Sequence, residues 1–364
     1  MIYFFVKENY KKGDFFSKSA YPPSDWKIAM KYVYVLTSTP NDLYYEQCLM
    51  SVASLRLYMP DADVIVLTDN RTAASFTEEQ KRTELGKTAS QIIVIDFDES
   101  IGNAERSRLI KTSIPDYVND DFLYIDCDTI IAGDLSPIEN CPYETAGVLD
   151  GHVMLDEHIH KKYFLQRDKA LGFHGTEKAG CNINGGIIFA RNCACSRELF
   201  KKWNEAWKFS AYQKHDLHDQ SALNEANWQT GLKMQLLSGE WNCQPSHGGL
   251  AFLKDAKIIH YYSSEFSGKN YVPYYKLADK SLQNRIKESG TIPDDIMQMM
   301  REPKFQFNKV HIINDSRIVS IMQSPLTFTL ADIKSKLPAL FNIMENIMAF
   351  FRSLGKKIRR GKAR

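Results

Sequence analysis

The chain has 364 residues, of which 44% are hydrophobic and 25% charged, with a formal net charge of +2. That balance suits a soluble globular protein of one large domain or two modest ones, and no apolar run approaches the roughly 20 residues of a membrane span. The charge is uneven: residues 352–364 hold seven cations (Arg352, Lys356, Lys357, Arg359, Arg360, Lys362, Arg364) and no acid, leaving the remainder at net −5. This points to a terminal anion-seeking arm on a mildly acidic body and away from a nucleic-acid-binding domain. Seven cysteines is an odd number, and their spacing fits neither a disulfide framework nor a zinc ribbon, so a reducing cytoplasmic setting is expected. The opening residues Met1–Val6 lack a basic n-region and make a poor signal peptide.

In chain order, residues 1–29 are aromatic and basic without periodicity and are expected to be an extension outside the core. A first strand is predicted at Tyr32–Thr37. Asn41–Tyr58 reads as a helix with Tyr45, Leu49, Val52 and Ala53 on one face, closed by Pro60. Asp63–Thr68 and Gln91–Asp96 are the next strands. Ala104–Ile114 is a helix stopped by Pro115; it carries Arg106, Arg108 and Lys111, whose plain reading is a solvated basic face. Phe122–Ile125 is a fourth strand. Strands separated by helices predict βαβ units, hence an α/β fold with a mainly parallel sheet. Ligands of such sheets bind beyond the carboxyl ends of the strands. There lie Thr37-Ser38-Thr39, Thr68-Asp69 and Asp126/Asp128.

Downstream, Thr145–Leu149 is a strand ending in Asp150, Ile187–Ala190 follows an Asn184-Gly185-Gly186 step, and Ile258–Tyr262 surrounds His260. Arg197–Phe209 and Gln220–Asn227 read as helices, while residues 270–335 carry no interpretable motif. Near the end, Leu340, Met344, Ile347, Met348, Phe351 and Leu354 form a stripe at helical spacing that leads into the basic cluster. The expected organisation is an extension over 1–29, a catalytic domain over 30–270, a further extension over 271–337, and an amphipathic helix with a basic tail over 338–364.

The most informative stretch is Leu123-Tyr124-Ile125-Asp126-Cys127-Asp128-Thr129. In extended chain, residues i and i+2 point the same way, so Asp126 and Asp128 converge on one cation. Hard oxygen ligands suit Mg²⁺ or Mn²⁺, which in turn attracts a diphosphate. The plain alternative is a turn with solvated carboxylates. Asn184-Gly185-Gly186 is alternatively a simple turn, because glycine supplies positive φ. Asp219 is alternatively an N-cap, and His260 a core or edge histidine. His158/His160 and His215/His218 have near-neighbour spacing, but the sequence places no third ligand beside them. They are expected to be exposed loop or helix residues.

Together these segments resemble the GT-A glycosyltransferases of the retaining family that includes glycogenin and bacterial lipooligosaccharide galactosyltransferases (glycosyltransferase family 8-like). The likeness spans roughly residues 31–265. It rests on the Asp126–Asp128 motif with its Ile130–Leu135 flank, Asn182–Ile188, Asp219-Gln220 with Leu223-Asn224, Trp241-Asn242, and His260, in that order. The resemblance implies a GT-A fold and a Mn²⁺ or Mg²⁺ ion held by Asp126, Asp128 and His260. It implies a UDP-sugar donor, glucose or galactose favoured, contacted by Thr37, Ser38, Thr39, Arg108, Asp126, Cys127, Asp128, Asn184, Gly185 and Gly186. Gln220, Asp219 and Asp150 would lie beside the transferred sugar. The sequence departs from the family twice: hydroxyls replace acidic residues in the 37–39 loop, and the Lys-Pro-Trp diphosphate clamp after the metal histidine is missing, with Lys269 as its substitute. The acceptor implied is a glycan or lipid-linked glycan in bacterial surface polysaccharide or lipopolysaccharide synthesis. An anionic membrane surface would meet the C-terminal tail, placing the protein peripherally on the inner face, with no nucleic-acid partner.

Three other readings compete. A haloacid-dehalogenase-like phosphatase also ends a strand in D-x-D, but its Thr lies two residues beyond the second Asp, where this chain has Ile130. A sugar-nucleotide pyrophosphorylase needs a Gly-rich phosphate cradle after the first strand, which is missing. An inactive sugar-nucleotide-binding protein keeps the binding residues without turnover.

Overall fold

A computed structural model describes residues 30–262, 273–307 and 320–361; the extension over 1–29 and Lys269 lie outside the described residues. The first half alternates as expected: β1 (Lys31–Leu36), α1 (Tyr44–Tyr58), β2 (Asp63–Asp69), α2 (Asn70–Ala74), α3 (Glu84–Thr88), β3 (Gln91–Ile95), α4 (Asn103–Lys111), α5 (Ile114–Tyr117) and β4 (Phe122–Ile125). Then come β5 (Thr129–Ile131), β6 (Thr145–Leu149), α6 (Lys161–Leu171), α7 (Gly175–Ala179), β7 (Ile183–Ala190), α8 (Ala194–Lys214), α9 (Gln220–Gln229), β8 (Met234–Leu236) and β9 (Ile258–His260). Four helices follow: α10 (Lys280–Ser289), α11 (Asp294–Arg301), α12 (Leu326–Lys336) and α13 (Pro338–Gly361).

Seven strands form one sheet in the order β3-β2-β1-β4-β7-β6-β8, and β5 pairs with β9 in a separate two-stranded ribbon. β1 is parallel to β2 and β4, β2 to β3, and β6 to β8, whereas β7 runs antiparallel to both β4 and β6. This is the mainly parallel α/β architecture anticipated from the strand–helix alternation. Side chains divide between the two faces at period two. Tyr32, Tyr34 and Leu36 pack under α1 and the β5–β9 ribbon, while Val33 and Val35 join Trp203, Trp207 and Ala222 of α8 and α9.

Four expectations change. Residues Tyr45–Leu55 of α1 are buried all round, beyond the single expected face, because the helix lies between the sheet and the later helices. There Gln47 donates to Gln283 (Nε2 to Oε1, 3.2 Å). α4 ends at Lys111, and Pro115 sits in the first turn of α5, where its missing N–H costs no hydrogen bond. The step Asn184-Gly185-Gly186 is part of β7. The stretch with no legible motif supplies core: Leu277, Ile286, Ile296 and Met300 are fully buried with the residues of α1.

The burial of Ile296 generates a prediction. Ile296→Ala removes a side chain with 0% exposure and is expected to lower unfolding free energy by about 2–5 kcal/mol. Urea denaturation measures it, and a change within about 0.5 kcal/mol would show α10–α11 to be a loose appendage.

Candidate active site

The site is built at the carboxyl end of β4. The strand stops at Ile125, and the main chain bends through Asp126–Asp128 before β5 takes up. The Asp126 N–H bonds the Gly186 carbonyl at 2.8 Å, which ties the bend to β7. Asp126, Asp128 and His260 each present a ligand atom, all within 4.8 Å of one another. β5–β9 pairing places Thr129 directly opposite His260, so the ribbon carries the histidine to the acidic pair.

This donor set fits a hard divalent cation. Asn242 Oδ1 lies 3.1 Å from His260 Nδ1, a partner that places the ring proton on Nδ1 and leaves the Nε2 lone pair, 3.2 Å from Asp128 Oδ1, directed into the site. Burial alone lowers the His260 pKa, but the Asp128 carboxylate outweighs it and holds the ring above the ordinary histidine value. Protons therefore compete with a metal here, and metal affinity falls as pH falls.

β7 supplies the second part. Its pairing with β6 breaks register between Gly147 and Val148, so that Asn184 pairs with Val148 but Ile188 with Gly147. Such bulges re-aim side chains beside sites. Asn184 is buried and central: Oδ1 accepts from Gly186 N–H and Asn242 Nδ2, both at 2.9 Å, and Nδ2 donates to Asp150 Oδ1 (3.0 Å), Tyr262 Oη (3.0 Å) and Gln220 Oε1 (3.3 Å). Gln220 Oε1 also accepts from the Gly185 N–H at 3.4 Å. A Cβ on Gly186 would lie 2.4 Å from His260 Cε1, so this glycine lets the metal-side histidine meet the strand.

Asp219 precedes α9, but its side chain makes no capping hydrogen bond. It receives Arg108 Nε at 3.1 Å and Lys111 Nζ at 2.9 Å. Lys111 also reaches Asp126 at 3.3 Å and lies over the rings of Tyr124 and Trp203. Burial works to raise the Asp219 pKa, but Arg108 and then Lys111 more than offset it and hold the carboxyl well below the ordinary range. The Tyr124 hydroxyl donates to Asp126 Oδ1 as well.

The basic helix therefore divides. Arg108 and Lys111 face the site, whereas Arg106 is buried against Asp69 (3.0 Å), correcting the expectation of a solvated face. Thr37, Ser38 and Thr39 leave β1 as expected, but their polar groups turn inward. Ser38 Oγ and the Thr39 N–H and hydroxyl bond Asp42 at 2.6–2.8 Å, and Thr37 Oγ1 bonds the Asn103 carbonyl. The Cys127 thiol bonds the Val35 carbonyl at 3.3 Å, away from its flanking carboxylates. Asp150 is buried between Asn184 and His158, whose Nε2 is 3.8 Å away. His158 and His160 are buried, not exposed as expected, since Phe164 packs on both rings; burial lowers both, His160 to about 4. His215 and His218 are exposed as expected. Lys111, Tyr124, Asn242 and Asp42 were missed as site builders. For Lys111 the available signal was its position one helical turn beyond Arg108.

The chain belongs to glycosyl transferase family 8, whose model matches residues 35–265. It is accordingly a glycosyltransferase with an Asp-x-Asp-type metal site, and neither the phosphatase nor the inactive-binder reading gains support. No curated protein matches. Among solved structures, the galactosyltransferase LgtC in complex with donor and acceptor sugar analogues is 15% identical over 74% of this chain and 99% of its own, with a TM-score of 0.46. Mouse xyloside xylosyltransferase 1 in its apo form is 13% identical over 64% of this chain and 96% of its own (TM-score 0.40). GlyE of Streptococcus pneumoniae TIGR4 is 18% identical over 77% of this chain and 66% of its own (TM-score 0.41).

The ion pairs of Asp219 predict a pH dependence. Its folded pKa is depressed, so its contribution to stability is present above the unfolded value of about 3.9 and is lost as pH falls through the folded one. The stability gap between the parent and Asp219→Asn should be widest near neutral pH and narrow steadily below about pH 4. Denaturation series at several pH values measure it; a constant gap would mean that Arg108 and Lys111 do not hold the carboxylate.

Proposed function

We propose that the protein is a divalent-metal-dependent hexosyltransferase that moves glucose or galactose from a UDP-sugar to a glycan acceptor with retention of configuration. The observation that carries this reading is the adjacency of two clusters. Asp126, Asp128 and His260 form one; Asn184, Asp150 and Gln220 form the other, joined to it through Asn242. The first suits a diphosphate-bound Mn²⁺ or Mg²⁺, the second a sugar bearing several hydroxyls.

A metal bound there supplies Lewis-acid stabilisation of the diphosphate leaving group. Arg108 and Lys111 add fixed positive charge beside the same region, in place before reaction begins. Asn184 and Gln220 orient the sugar by hydrogen bonds. Neither Asp219, tied up by two cations, nor Gln220, whose amide is a weak nucleophile, is suited to form a covalent sugar intermediate. We favour front-face displacement. The anomeric carbon–phosphate oxygen bond breaks, the acceptor hydroxyl oxygen bonds the same face, and its proton passes to the departing phosphate oxygen.

The acceptor side is proposed to meet an anionic bilayer. On α13, Leu340, Ile343, Ile347, Met348, Phe350 and Phe351 are all exposed, and the sequence continues through seven cations over residues 352–364. An exposed apolar face joined to a polybasic end binds anionic lipid, each cation adding about 1 kcal/mol. Among the described residues no helix is long and apolar enough to cross a membrane. A lipid-linked glycan acceptor of bacterial surface polysaccharide synthesis, at the inner face of the membrane, fits this arrangement.

Thermal shift tests the donor. A UDP-hexose with Mn²⁺ at about 100 times its Kd should stabilise the native state by about 2.7 kcal/mol, and Asp128→Asn should lose that shift while keeping its unliganded Tm. Equal shifts with and without chelator would remove the metal from the reading. NMR of the product should show the donor's α configuration kept, and inversion would overturn the front-face route.

Vesicles test the surface. Sedimentation with phosphatidylglycerol vesicles should be salt-sensitive and lost on deleting residues 338–364. Binding that survives the deletion would assign the tail no such role.

A further inference from the structure

α12 has no fully buried residue, yet one of its side chains is held firmly. The Phe328 ring stacks on Tyr163, with centroids 4.0 Å apart and planes 14° from parallel, and meets His160 edge-on at 4.5 Å. His160 and Phe164 both pack on His158 (5.6 and 4.8 Å), and His158 Nε2 lies 3.8 Å from Asp150 Oδ2. The seat of Phe328 is therefore the outer end of a continuous packed row that leads to Asp150. From there the hydrogen bonds through Asn184 and Asn242 lead to His260.

At its other end α12 packs on α13, with Lys334 Nζ 5.1 Å from the centroid of the Phe341 ring. The helix with the exposed apolar face is thus fastened to the catalytic body through α12. Among the described residues, the stacked and edge-on ring contacts that join α12 to the body are those of Phe328. Offset and edge-to-face aromatic pairs are directional, so they fix an angle as well as a distance.

We propose that Phe328 in the His160–Tyr163 seat is a latch that orients the protein on an anionic bilayer, so that the Asp150 side of the site faces the lipid surface and takes a membrane-anchored glycan acceptor from it. This rests on the proposed bilayer binding by α13. It adds that binding and orientation are separable: the tail supplies attraction, and the latch sets which side of the site looks at the membrane. The cations follow α12 in the sequence and cannot by themselves fix the angle of the body.

Hydrogen exchange on the full chain, with and without vesicles of phosphatidylglycerol and phosphatidylethanolamine, tests this. In the parent, vesicles should slow exchange about threefold or more both in residues 338–361 and in residues 152–164, which carry the seat. Phe328→Ala should still co-sediment with vesicles and keep the slowing in 338–361, but lose it in 152–164; Phe328→Tyr should behave as the parent. Equal slowing of 152–164 in the parent and Phe328→Ala, or none there in the parent, overturns the latch while leaving bilayer binding intact. Failure of the parent to co-sediment overturns both. Comparing each variant with its own vesicle-free sample removes any local loosening caused by the substitution.

Discussion

The side chain of Asn184 is the constraint on which the site depends. One amide accepts from the Gly186 N–H and Asn242 while donating to Asp150, Gln220 and Tyr262, so β7, β6, α9 and the segment before β9 are all referred to a single buried group. A buried amide left with unmet partners is costly, and that cost is what holds the carboxylate, the carboxamide and the metal-side histidine in one arrangement. The break in β6–β7 register gives Asn184 its position, and the missing side chain at Gly186 lets His260 come up against the strand.

Around that amide the site is a balance of buried and half-buried charge. Asp219 faces Arg108 and Lys111, Asp126 faces Lys111, and Asp128 faces His260. Isolated buried charges are not tolerated, and here each is paired: Arg108 and Lys111 with Asp219, Lys111 with Asp126, His260 with Asp128. Lys111 is the internal link, since it touches both the metal motif and the start of α9. A cation already in place near a developing anionic leaving group needs no reorganisation during reaction. The same pairing makes Asp219 an anion of low basicity, which removes it as a nucleophile and leaves it as an anchor for Arg108.

The later helices serve two ends. α10 and α11 close the α1 face of the sheet, so a stretch without recognisable motifs proves to be core. α12 and α13 extend from the Asp150 side, where His158, His160 and Phe164 form a packed, neutral layer. The catalytic body and the terminal helices are thus different parts of one chain, joined through a few aromatic contacts.

The sequence by itself determined the strand–helix alternation of the first half, the mainly parallel sheet, and the convergence of Asp126 and Asp128, with His260 added to them by the family resemblance alone. Periodicity and strand-end position are local properties, and the i, i+2 rule needs no knowledge of the fold. Only the tertiary structure decided which of Arg106, Arg108 and Lys111 faces the site. All three share a helix, and the choice depends on Asp69 and Asp219 arriving from two other elements. It likewise decided that Asn184-Gly185-Gly186 is a bulged strand rather than a turn, because that follows from what β6 and β4 pair with. His158 and His160 are buried because Phe164 and Phe328 cover them, and Phe328 comes from more than 160 residues away along the chain. Burial and charge pairing are properties of neighbours in space, and a single sequence specifies neighbours only along the chain.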